Sequence, residues 1–174
     1  PTRHTTYLID WPRQVPELGV IAGPALAASA ASMRGDAAGS PTLIVEDADL
    51  EGVGLAGVQV FADDVRCWPG NLDDDALAEA LFGLGAFIEK AGTGGGLFRR
   101  LQAQGCQDIA DLLDSDAVAG AAAAARRAAD LWSAVAEKAV DTTLSLRDRC
   151  AAAADLAAGL PQAEQHLADA LDHA

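Results

Sequence analysis

Apolar positions recur every three or four residues through most of the chain, which is the spacing of a helix face. The clearest run is "NLDDDALAEALFGLGAFIEKAG". Leu77, Leu81, Leu84 and Ile88 form one stripe, with Phe87 beside it. Asn71 or Asp73 can cap this helix, acidic residues fill its first turn, and Lys90 and Gly92 mark its end. Upstream, residues 17–33 predict a helix with Ile21, Leu26, Ala30 and Met33 on one face. Gly23-Pro24 interrupts the pattern, so Pro24 can be its first residue. Leu50, Val53, Gly57 or Val58, Phe61, Val65 and Trp68 continue at helical spacing to a stop at Pro69-Gly70.

Downstream, residues 97–113 predict a helix that buries Leu101, Ile109 and Leu112. Ser115 or Asp116 caps the next, which runs to about Val140 with Trp132, Val135 and Val140 near one face. Arg126 and Asp130 are spaced as surface partners there. Thr142 or Thr143 caps a helix over residues 144–158, and Gly159 stops it. Pro161 opens the last helix, with Leu167 and Leu171 inward. Residues 7–9 and 43–45 can form short strands. The pattern predicts an all-α bundle: a linker-like arm over residues 1–16, then a single helical domain over residues 17–174. No repeat of solenoid length is evident.

Composition changes one part of this picture. Hydrophobic residues are 51% of the 174, yet aromatics are only 5%, because alanine dominates. Alanine favours helices but buries little area. The expected core therefore leans on large anchors: Trp68, Phe82, Phe87, Phe98 and Trp132.

The net charge of -14 argues against nucleic acid and against an anionic membrane; it reads first as a solvated acidic surface, with a basic partner as the alternative. Cys67, Cys106 and Cys150 are odd in number and far apart, which suits a cytoplasmic location and neither a disulfide framework nor a zinc site. Cys67 and Cys106 read as small buried helix residues, and Arg149 can lower the pKa of Cys150. The chain starts at Pro1 and its methionine is Met33, so a fragment or processed product is expected.

Little catalytic chemistry is signalled. His4, His166 and His173 lie near the ends of the chain. Asp63-Asp64 and Asp73-Asp74-Asp75 are adjacent in sequence and diverge around a helix, so caps and surface roles suit them. His166 with Asp169 or His173 lacks a signalled third ligand. No catalytic residue, cofactor or metal is expected.

"AGTGGGLFRR", residues 91–100, is the distinctive stretch. It lacks the Lys-Ser or Lys-Thr of a Walker A loop. Counted from Gly92, its sixth position is Leu97, not the glycine of a dinucleotide fingerprint. Two readings remain. The glycines make a sharp interhelical turn whose arginines pair with local carboxylates. Otherwise the start of the following helix binds an anion, with Lys90, Thr93, Gly94, Gly95, Gly96, Arg99 and Arg100 as the candidate residues.

"FIEKAGTGGGLFRRLQAQ", residues 87–104, resembles a motif in the C-terminal helical region of butirosin-biosynthesis-H-like proteins. "YLIDWP", "GLAGVQVFADDVRCWP" and Trp132 in an alanine-rich helix fit the same layout. The matched motif positions are Gly92, Thr93, Gly94, Gly95, Gly96, Phe98 and Arg99; the following "GCQDIADLL" departs from the family pattern. The resemblance implies a bacterial, acyltransferase-associated helical domain that follows a cysteine-peptidase-like domain carrying the nucleophile. No cysteine here matches that nucleophile.

Three functions are therefore in play. The first is a non-catalytic accessory module beside an upstream catalytic domain, helping to bind substrate or an acyl carrier protein. The second is a self-sufficient acyltransferase-like enzyme using an anion site at residues 92–96. The third is a dimerising scaffold with close-packing alanine and glycine faces.

Overall fold

The computed structural model describes residues 17–36, 53–90 and 95–174. The arm over residues 1–16, the strand expected at residues 43–45, and Thr93 and Gly94 lie outside the described residues. Those described form seven helices and no strand: α1 (Leu18–Arg34), α2 (Gly54–Asn71), α3 (Asp74–Glu89), α4 (Gly96–Leu113), α5 (Asp116–Ala139), α6 (Leu146–Ala157) and α7 (Leu160–Asp172). The all-α reading holds.

Several boundaries follow local chemistry. Asp73 accepts from Ala76 N at 2.9 Å and caps α3. Ser115 caps α5 through Val118 N. The cap of α6 is Ser145, not Thr142 or Thr143, and α6 begins at Leu146. Thr143 instead donates its N–H and hydroxyl to Asp141. Prolines interrupt less than expected. α1 begins at Leu18 and carries Pro24 inside it, on an exposed stretch. Proline has no N–H, so the carbonyl that loses its helical donor belongs to Val20, which is itself exposed. α2 passes through Pro69-Gly70 to Asn71, and the Pro69 carbonyl accepts from Arg147 Nη1 at 2.6 Å.

α5 is the spine. Its N-terminal half, from Val118 to Ala128, packs in one apolar cluster with α1, α4 and α7. Its C-terminal half, with Val135, Ala136 and Ala139, packs in a second cluster with α2, α3 and α6. Ala121, Ala122, Ala125, Ala128 and Ala129 are fully buried. Ala121, Ala122, Ala125 and Ala128 share a cluster with Ala103, Cys106 and Ala110 of α4, and this small-residue seam brings the two helices close.

The large anchors expected from the sequence are not the core. Phe82, Phe87 and Phe98 are exposed, and Trp68 and Trp132 are only partly buried. On α4, Leu101 and Leu112 point outward, while Ile109 is half-buried. Large side chains would hold α4 off α5, so the small residues take the inner stripe. The large buried side chains are leucines: Leu77, Leu81, Leu160, Leu167 and Leu171. Val140 is also exposed, although Val135 is buried as expected. Cys67 is exposed rather than buried. Ala125→Leu should overpack the seam and cost about 1–3 kcal/mol, read as a lower urea midpoint at unchanged slope. An unchanged midpoint would mean the seam has room.

Candidate functional site

The glycine run leads into α4 and sets two adjacent arginines between four neighbouring helices. Gly95 has φ 76 and ψ -146, a backbone that only glycine adopts readily. Gly96 is buried, and a Cβ there would collide with the Glu89 carboxylate and stand 2.6 Å from Ser133 Oγ. The turn is thus glycine-rich for reasons of backbone and space.

Arg99 reaches across to α7. Its Nε donates to both Glu164 oxygens at 2.9 Å, and its Nη2 donates to Oε2 at 2.7 Å. Glu164 is 1% exposed, the one buried charged residue among those described. Its Oε1 also accepts from Trp132 Nε1 at 2.6 Å. The Trp132 ring lies 5.4 Å from that of Phe61 on α2. On its other side Arg99 Nη1 donates to Gln102 at 3.0 Å, and Gln102 Nε2 donates to Ser29 Oγ of α1 at 3.1 Å. One network therefore links α1, α2, α4, α5 and α7. Every polar partner in it counts, because a buried carboxylate left without donors is strongly destabilising.

Arg100 turns toward α3 and α5. Its Nη1 donates to Ser133 Oγ at 2.6 Å and its Nη2 to Glu89 Oε2, while Ser133 Oγ donates to Glu89 Oε1 at 2.7 Å. Glu89 also sits at the N-terminus of α4, where the helix dipole favours an anion. Burial pushes the Glu89 carboxyl up, but the hydrogen bonds from Arg100 and Ser133 and the Arg100 charge outweigh it, and the pKa lies below the usual glutamate value.

The sign of the resulting pH dependence follows. A depressed folded-state pKa adds stability above the unfolded value, and that stability is lost as pH falls through the folded value. Between about pH 5 and about pH 3, the native chain should lose more stability than Glu89→Gln, as measured by urea midpoints. Equal losses would mean that the carboxylate contributes nothing there. Asp141 and Asp169 are depressed as well, chiefly by hydrogen bonds from Thr143 and from Arg34 respectively, and are common to both proteins.

Of the sequence-expected anion residues, Gly95, Gly96, Arg99 and Arg100 come together, with both guanidinium groups on carboxylates of this chain. Lys90 is the exposed C-cap of α3. Periodicity carried an unused signal for Glu164: it stands in the stripe Leu160, Glu164, Leu167, Leu171, all buried. Gln102, Ser133 and Glu89 had no signal, since their partners lie on other helices.

The remaining candidates are placed elsewhere. Cys106 and Cys150 are buried, and burial raises both thiols. Arg149 does not lower Cys150; its Nε donates to the Leu144 carbonyl at 3.1 Å. Arg126 bonds Gln107 of α4 at 2.7 Å instead of Asp130. Asp63 and Asp64 accept from Gln59 and Trp68 one helical turn away. His173 Nδ1 lies 2.6 Å from the Asp169 carbonyl. Among the described residues no group of three or more His, Cys, Asp or Glu is placed to hold a metal, and no helix is long and apolar enough to cross a membrane.

No curated protein and no solved structure matches the chain. The pattern of one protein family, Domain of unknown function (DUF4872), matches residues 1–171, nearly the full length that includes the glycine turn and both arginine networks, and the chain belongs to that family.

Proposed function

We propose that the chain is a non-catalytic helical module that packs beside, or completes the site of, a cysteine-nucleophile acyltransferase-like domain of the butirosin-biosynthesis-H kind. There it helps to seat the substrate or an acyl carrier protein. The observation that carries this reading is the use made of the motif residues. Gly95 and Gly96 make the turn, and Arg99 neutralises buried Glu164. An external anion would have to displace Glu164 or Glu89 from the two guanidinium groups. The buried thiols, raised by their surroundings, are poorly suited to attack.

The test is aminoacyl transfer from a phosphopantetheine thioester, followed with three samples: the purified chain, a butirosin-H-like catalytic domain, and both together. The chain alone should be inert, and its addition should raise transfer by the catalytic domain. Turnover by the chain alone would overturn the proposal, and so would an unchanged rate with both present.

A further inference from the structure

α3 and α5 run antiparallel, with Glu89 beside Ser133 at one end and Gly85 against Ala136 and Val140 further along. Their outer surfaces form an apolar groove of about 240 Å³. Phe82, Ala86, Ala136 and Val140 line it, and its charged lining is Glu137, Lys90 and Glu89, the last paired with Arg100. Gly85 forms the floor: a Cβ there would stand 2.6 Å from Val140 Cγ1, so a larger residue would fill the cleft or part the helices.

Phe82 is 73% exposed and Val140 is 45% exposed. In a chain whose inner faces are filled by alanine and leucine, these large side chains do not serve the core. Burying such a phenylalanine against a partner is worth about tenfold to a hundredfold in affinity.

Beyond the lining, the surface that flanks the groove on α3 is acidic. Asp75 and Glu79 lie seven and three residues before Phe82, on the same face of α3, and both are exposed. Glu137 is exposed on the α5 side. Lys90, at the far end, is the cation of the lining. The net charge of -14 adds long-range attraction for cations and repels acidic surfaces.

We propose that the α3–α5 groove docks an amphipathic basic helix of a partner protein, with one large apolar anchor seated beside Phe82 and Val140 and lysine or arginine flanks facing Glu79 and Glu137. Helix-in-groove recognition uses this combination of an apolar slot and charged margins. The proposal does not depend on which catalytic domain, if any, the module serves.

The experiment is a fluorescence anisotropy titration of the purified chain with a labelled leucine–lysine amphipathic helical peptide. A matching leucine–glutamate peptide is the control. The lysine peptide should bind at least about tenfold more tightly than the glutamate peptide. Phe82→Ala and Glu137→Lys should each weaken it about tenfold at an unchanged melting temperature. Leu112→Ala, which alters an exposed leucine on α4, should bind as the native chain does. Equal binding by Phe82→Ala and the native chain would overturn the proposal, as would equal weakening by Leu112→Ala. A concentration-dependent dimer in light scattering, abolished by Phe82→Ala, would also overturn it, because the groove would then hold a second copy.

Discussion

Arg99→Ala is expected to destabilise the fold by about 3–5 kcal/mol, a large share of an ordinary domain's stability. The Arg99 side chain is 23% exposed, but that of Glu164, whose carboxylate it neutralises, is 1% exposed. Removal leaves Glu164 with the Trp132 N–H and no counter-charge among the contacts described above. An uncompensated buried charge must then be hydrated or neutralised, and either disturbs the meeting of α4, α5 and α7. Arg99→Lys should recover only part of the loss, because an ammonium cannot reproduce the two-point contact of Nε and Nη2. Urea unfolding followed by tryptophan fluorescence reads both variants, since Trp132 is itself in the network. A loss below about 1 kcal/mol for Arg99→Ala would place the pair among surface ion pairs.

Leu167→Ala should cost about 3–5 kcal/mol, toward the upper end for such changes. Leu167 is fully buried on α7 and belongs to the cluster formed with α1, α4 and α5. Much of that cluster is alanine, including Ala30, Ala121, Ala125 and Ala128. Alanine has no side-chain rotamers with which to fill a void, so the cavity stays open unless the helices move. Leu112→Ala is the control: that side chain is 73% exposed, and its loss should change stability by less than about 0.5 kcal/mol. Equal costs at the two positions would contradict the packing described above.

The helices were legible where ordinary rules act alone. Leu77, Leu81, Leu84 and Ile88 announce the inner face of α3, and the two caps, Asp73 and Ser115, were each one of two candidates. The rules misled at Phe82 and Phe87, which lie outside the buried leucine stripe of α3, and at Phe98, Leu101 and Leu112 of α4, the last three for one shared reason. Size normally marks the core, but a close α4–α5 seam admits only small side chains, so the large ones are turned out.

At the candidate site the glycine turn was legible as a turn, and pairing of its arginines with carboxylates was one of two readings. Which carboxylates was not legible. Glu164 is 65 residues from Arg99, and Ser133 is 33 residues from Arg100. A sequence gives the helix stripe that holds Glu164 but not the helix that faces it.

The most direct test of the structural role of the motif is a double-mutant cycle on Arg99 and Glu164, read by urea unfolding. If Arg99 is there to neutralise Glu164, Glu164→Leu should rescue much of the loss caused by Arg99→Ala. The coupling should then be about 2–3 kcal/mol. Additive costs, with the double variant as damaged as the sum of the singles, would contradict this role and return Arg99 to the ligand-binding reading.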